Sequence, residues 1–162
     1  VLSFQYFLSY FFLGIAIVCL YFYELERSLI LVAVLISVIT DAFAFFTGKA
    51  FGRKKIFPNI SPNKTLEGTI GGVVLSVVIN SLLIILIIQN SLMAFNTLTL
   101  VFVLFISSLA SVFGDLLISS IKRQADLKDT GSLIPGHGGL LDRFDSHLLS
   151  IPVFFALLEA LK

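Results

Sequence analysis

The sequence predicts an all-α, polytopic integral membrane protein with about five transmembrane helices, forming a single domain over residues 1–162. Three observations carry this. Apolar residues make up 57% of the chain and charged residues 13%, against about half and about a quarter in soluble domains. The apolar residues fall in long runs rather than at a helical or strand period, a pattern that a soluble core does not explain. The basic residues gather in two segments between those runs.

A bilayer core about 30 Å thick takes about 20 apolar residues as a helix. Residues 1–23 are the first such run; they are too long and too aromatic for a signal-peptide core, and no small-residue cleavage site follows. The next runs are 29–47, 70–88 and 98–118. The last, 148–161, is short unless it begins near Asp142, which would place Asp142 and Asp145 on its first turn. A chain that begins at Val1 and has Met93 as its single methionine is expected to be part of a longer protein with further upstream helices. Cys19 lies inside an apolar run and has no partner for an internal disulfide.

Loop charge predicts orientation. Segment 48–67 carries Lys49, Arg53, Lys54, Lys55 and Lys64; segment 119–147 carries Lys122, Arg123, Lys128 and Arg143. With the intervening helices spanning, both loops lie on one side, and the positive-inside rule makes that side cytoplasmic. The net charge of +1, without a dense basic block, gives no reason to expect a nucleic-acid partner.

Several polar residues inside the apolar runs need a reason. Ser37, Asp41, Ala44 and Gly48 share one helical stripe. An intramembrane carboxylate is costly and faces protein or water, so Asp41 is either a buried packing residue or part of a site. Gly68, Gly72, Ser76 and Asn80 repeat every fourth residue, as in a close helix–helix contact. Ser108, Ser111, Asp115, Ser119 and Lys122 form another stripe if the fourth helix continues past Ile118. Its plain reading is a buried Asp–Lys pair that fixes packing.

The stretch from Lys122 to Asp145 reads KRQADLKDTGSLIPGHGGLLDRFD. Gly131, Gly136, Gly138 and Gly139 let backbone approach a ligand. Asp142 and Asp145, three apart at an expected helix start, would point the same way. With Asp115 they suit an oxygen-liganded divalent cation such as Mg²⁺, and the neighbouring Lys and Arg suit phosphate. His137 has no Cys or second His at zinc spacing, and His147 reads as interfacial. There is no phosphate-binding GxxxxGK[ST], no GxSxG and no HExxH.

These residues resemble the phosphatidate cytidylyltransferase (CDP-diglyceride synthetase) family. That pattern is matched at its spacing by Ser119, Lys122-Arg123, Lys128-Asp129, Gly131, Pro135, His137-Gly138-Gly139 and Asp142-Arg143-Phe144-Asp145. Ser61-Pro62-Asn63-Lys64-Thr65-Leu66-Glu67-Gly68 resembles a second family segment, and Asp41 with Ala44 and Gly114-Asp115 match further positions. The resemblance implies a nucleotidyltransferase that makes CDP-diacylglycerol and pyrophosphate from CTP and phosphatidate, with Mg²⁺ or another divalent cation. It implies Asp115, Asp142 and Asp145 as metal ligands, with Asp129 and Asp41 next. Lys122, Arg123 and Lys128 go to phosphates. Ser61, Lys64, Thr65 and Glu67 go to CTP or to holding their loop over the site, with Ser119 and Arg143 beside them; His137 orients a phosphate or acts as acid or base. A bacterial cell membrane is the expected location, and a homodimer is left open. Other lipid CTP transferases, relatives of CTP-dependent polyprenol kinases, and an ion or proton transporter using Asp41 and Asp115 are the competing readings.

Overall fold

A computed structural model describes residues 27–58, 60–87, 96–127, 129–131, 139 and 141–161. The described residues are mostly helical (79%). In order come α1 (Arg27–Phe51), β1 (Lys55–Phe57), β2 (Ser61–Thr65), α2 (Leu66–Ile87), α3 (Thr97–Gln124), the one-turn α4 (Leu141–Phe144) and α5 (His147–Ala160). Among the described residues, three helices are long and apolar enough to cross a membrane: Leu29–Phe51, Leu66–Leu86 and Thr97–Gln124. These match the second, third and fourth runs. The first run, 1–23, lies outside the described residues. The last run forms α5, which begins at His147 and not at Asp142. Its 14 residues reach about 21 Å, short of a hydrocarbon core.

The bundle is arranged inside out. On α2, Ile70, Val74, Val78, Leu82 and Ile85 are exposed, as suits a face that meets lipid. The opposite face carries Gly68, Gly72, Ser76 and Asn80, and it packs on α1. The Ser76 hydroxyl donates to the Ile36 carbonyl at 3.2 Å, and Ser108 of α3 donates to Ser76 at 3.2 Å. Ser37 of α1 and Ser150 of α5 share a short hydrogen bond. Without a hydrophobic drive between helices in lipid, small residues and interhelical hydrogen bonds hold such bundles together. An apolar knot supplements them: Val32, Ile36, Val103, Leu104, Phe154 and Phe155 are buried together.

Gly72 shows how close α1 and α2 run. A Cβ there would sit 2.6 Å from the Thr40 carbonyl oxygen and 2.9 Å from the Ala44 nitrogen, both backbone atoms. Gly72→Val is therefore expected to cost about 1–3 kcal/mol by overpacking. Val74→Ala, on the lipid-facing side, should leave stability nearly unchanged. Thermal unfolding in detergent checks the contrast.

The polar end of the bundle holds a short hairpin that the sequence did not predict. β1 and β2 pair antiparallel, with Lys55 opposite Thr65 and Phe57 opposite Ser61. Thr65 ends the hairpin and starts α2: its hydroxyl oxygen accepts from the Gly68 amide at 3.2 Å, an N-cap. α3 runs past Ile118 to Gln124, as its polar stripe required. It ends where Asp126 takes a left-handed φ of 55°. Leu127 N donates to Lys122 O at 2.9 Å and Asp126 N to Arg123 O at 3.1 Å, the Schellman pattern that satisfies terminal carbonyls.

Candidate active site

Four separate pieces of chain meet at this polar end. Lys64 of β2 forms an ion pair with Asp115 of α3. The two basic loops, which Arg123 and Ile60 join, lie on one side. Ser119, one turn further along α3, donates from its hydroxyl to Asp115 Oδ1 at 3.1 Å. Arg123 ties the same two loops: its Nε donates to Ile60 O at 3.4 Å and its Nη1 to Leu127 O at 3.3 Å.

Asp41 of α1 and Asp145, in the turn between α4 and α5, complete the cluster. Asp41 interacts with the Ser146 side chain and lies in the fields of Lys64 and Asp115. Asp145 accepts from the Ser146 amide at 2.8 Å. Its burial, and then the facing Asp115 carboxylate, push its carboxyl up to about 7. Gly114 permits the approach: a Cβ there would lie 2.7 Å from Asp145 O and 3.4 Å from Ser146 O.

Asp142 has a set of partners of its own. The expected single helix start is two pieces, α4 with Asp142 and α5 from His147, with Asp145 and Ser146 in the turn between them. Asp142 Oδ1 accepts from Lys122 Nζ at 2.7 Å. Its Oδ2 accepts from Thr130 N at 2.8 Å, Thr130 Oγ1 at 3.0 Å and Gly139 N at 2.9 Å. Burial alone would raise this carboxyl, but Lys122 and then the Thr130 and Gly139 donors outweigh it and hold it down to about 2. Lys122 is buried, and its partner is Asp142, not the Asp115 of its own stripe.

The remaining expected residues divide. Glu67 accepts from the Arg53 amide at 3.0 Å and from the Lys54 amide at 3.2 Å, so it holds the chain that leads into the hairpin. Ser61 opens β2, and Asp129 is exposed. Lys128, His137 and the Arg143 side chain lie outside the described residues. Ser146 and Thr130 were missed in the sequence; a lone Ser or Thr carries no signal until the fold brings a carboxylate to it.

A divalent cation fits the chemistry of this end. Asp41, Asp115 and Asp145 set three carboxylates in one another's fields, with Lys64 as the cation directly paired there. Among the described residues, no group of three or more His, Cys, Asp or Glu side chains converges at metal-ligand distance. Mg²⁺ does not require that, because it commonly takes one or two carboxylates, with water and substrate phosphates filling the rest.

The sequence matches the Cytidylyltransferase family over residues 1–161. It is 43% identical over 122 residues to a phosphatidate cytidylyltransferase of Bacillus subtilis (strain 168), covering 74% of this chain and 43% of that one. It is 39% identical over 142 residues to a phosphatidate cytidylyltransferase of Staphylococcus haemolyticus (strain JCSC1435), covering 86% of this chain and 53% of that one. A third, from Staphylococcus aureus (strain COL), is 41% identical over 142 residues, with 86% and 53% covered. The chain spans about half the length of the curated relatives it matches. An apolar helical bundle that gathers carboxylates and lysines at one end, and a match along nearly its whole length, place this chain in the cytidylyltransferase family.

Proposed function

We propose that the chain is the catalytic part of a phosphatidate cytidylyltransferase that converts CTP and phosphatidate to CDP-diacylglycerol and pyrophosphate. The observation that carries this reading is the meeting of Lys64, Asp115, Asp41 and Asp145 at the polar end of a membrane bundle. CTP arrives from water and phosphatidate from lipid, so such a site belongs at the surface of the hydrocarbon. The relatives' names supply the nucleotide and the lipid. Their bacterial origin supports a bacterial cell membrane, and the basic loops support a cytoplasmic orientation.

In the reaction, a phosphate oxygen of the lipid forms a bond to the α-phosphorus of CTP. The bond from that phosphorus to the bridging oxygen breaks, and its electron pair leaves with pyrophosphate. Positioning and charge dominate such transfers. Lys64, Lys122, Arg123 and Lys128 are assigned to the phosphates. Asp115 and Asp145, with Asp41 behind them, would hold a divalent cation, which when bound offsets charge on the attacking and leaving oxygens. Glu67 and Thr65 hold the hairpin, and so Lys64, in place.

The test uses the full-length protein in detergent with phosphatidate, Mg²⁺ and each of the four nucleoside triphosphates in turn. Lipid labelling is expected from CTP and should stop in excess chelator. Labelling from ATP but not CTP would replace the cytidylyl assignment with a lipid kinase.

A further inference from the structure

Asp142 has the fullest set of donors of any carboxylate among the described residues. One oxygen takes the Lys122 ammonium; the other takes three donors, from Thr130 and Gly139. An oxygen with three donors has no lone-pair direction left, and an oxygen facing an ammonium repels a second cation. The donors are also far apart in the chain. Lys122 belongs to the last turn of α3, Thr130 and Gly139 bound the stretch between them, and Asp142 sits on α4. Lys122 in turn reaches Asp145 through its field, so what fixes Lys122 also shapes the carboxylate cluster.

We propose that Asp142 is a positioning residue and not a metal ligand: it pins Thr130 to Gly139, holds Lys122 beside the cluster, and so sets the affinity for the nucleotide. This rests on the CTP reading above.

The experiment uses the full-length protein with three substitutions: Asp142→Asn, Thr130→Val and Asp115→Asn. Two quantities are read: the KM for CTP at saturating Mg²⁺, and Mn²⁺ binding without nucleotide by electron paramagnetic resonance. Asp142→Asn should raise the KM for CTP about tenfold, the scale of a hydrogen bond to a charged group, and leave Mn²⁺ affinity within about twofold of the parent. Thr130→Val keeps the carboxylate and removes only the hydroxyl donor; it should raise the KM about threefold with Mn²⁺ affinity unchanged. Asp115→Asn should weaken Mn²⁺ binding. If Asp142→Asn weakens Mn²⁺ as much as Asp115→Asn does, Asp142 is a ligand and the proposal fails. It also fails if Thr130→Val leaves the KM for CTP unchanged, whether or not the Asp142 variant folds. If the parent protein does not use CTP at all, the reading underneath is lost, whereas the Mn²⁺ comparison still decides whether Asp142 binds metal.

Discussion

Asp115→Asn should lower turnover by about 10²- to 10³-fold, the scale of losing one group that stabilises transition-state charge, here through the cation Asp115 is proposed to hold, with expression and melting temperature close to the parent. The two halves of that expectation have different causes. Asp115 and its partner Lys64 keep about a fifth of their side-chain surface exposed, 22% and 21%. Water still reaches both groups, so Lys64 can be solvated when its partner is neutralised, and the bundle should stay folded. Chemistry is another matter. Asp115 is the carboxylate through which Lys64, Ser119, Asp41 and Asp145 are all coupled. An asparagine keeps the shape but cannot neutralise Lys64 or help hold a cation against phosphate. Turnover measured beside thermal unfolding separates the two, and a variant with near-parental turnover would remove Asp115 from the site.

Gly114→Ala should cost about 10²-fold in turnover, although it adds one methyl group and touches no ionisable side chain. The added Cβ would fall 2.7 Å from the Asp145 carbonyl oxygen and 3.4 Å from Leu149 Cβ. The nearer atom is backbone, so no rotamer change relieves the contact. α3 must move off the α4–α5 turn, and that movement separates Asp115 from Asp145. Misplacing a reacting constellation by about 1 Å can cost 10²-fold, while the overpacking itself costs about 1–3 kcal/mol. Full turnover with an unchanged melting temperature would show that this contact does not set the distance between the two carboxylates.

Much of the bundle was legible because a bilayer imposes one requirement on every span: about 20 apolar residues whose backbone is satisfied within the helix. The runs at 29–47, 70–88 and 98–118 gave the three helices, which extend beyond those runs at the polar end, to Phe51, from Leu66 and to Gln124. The four-residue repeat Gly68, Gly72, Ser76, Asn80 announced the packed face of α2, because only small side chains let two helices approach as α1 and α2 do. The β1–β2 hairpin was not legible. Its strands are short and hold Pro62 and two charges, Lys55 and Lys64, which is not the alternation that marks a strand; it is held from outside by Glu67 and Arg123.

The sequence by itself determined that this chain is membrane-embedded and that its basic residues gather in two segments between the apolar runs. Hydropathy and charge are properties of each segment alone, and they survive without knowing the neighbours. Which carboxylate faces which cation was decided only in three dimensions. Lys122 and Asp115 share a helical stripe, yet Lys122 turns to Asp142, and Asp115 takes Lys64 from a hairpin far back in the chain. A largely buried ammonium goes to the carboxylate that the packing brings within hydrogen-bonding reach, because the Coulomb gain falls with distance and leaving a charge unpaired is costly. Spacing along the chain does not record that distance; the break between α4 and α5 and the close approach at Gly114 do.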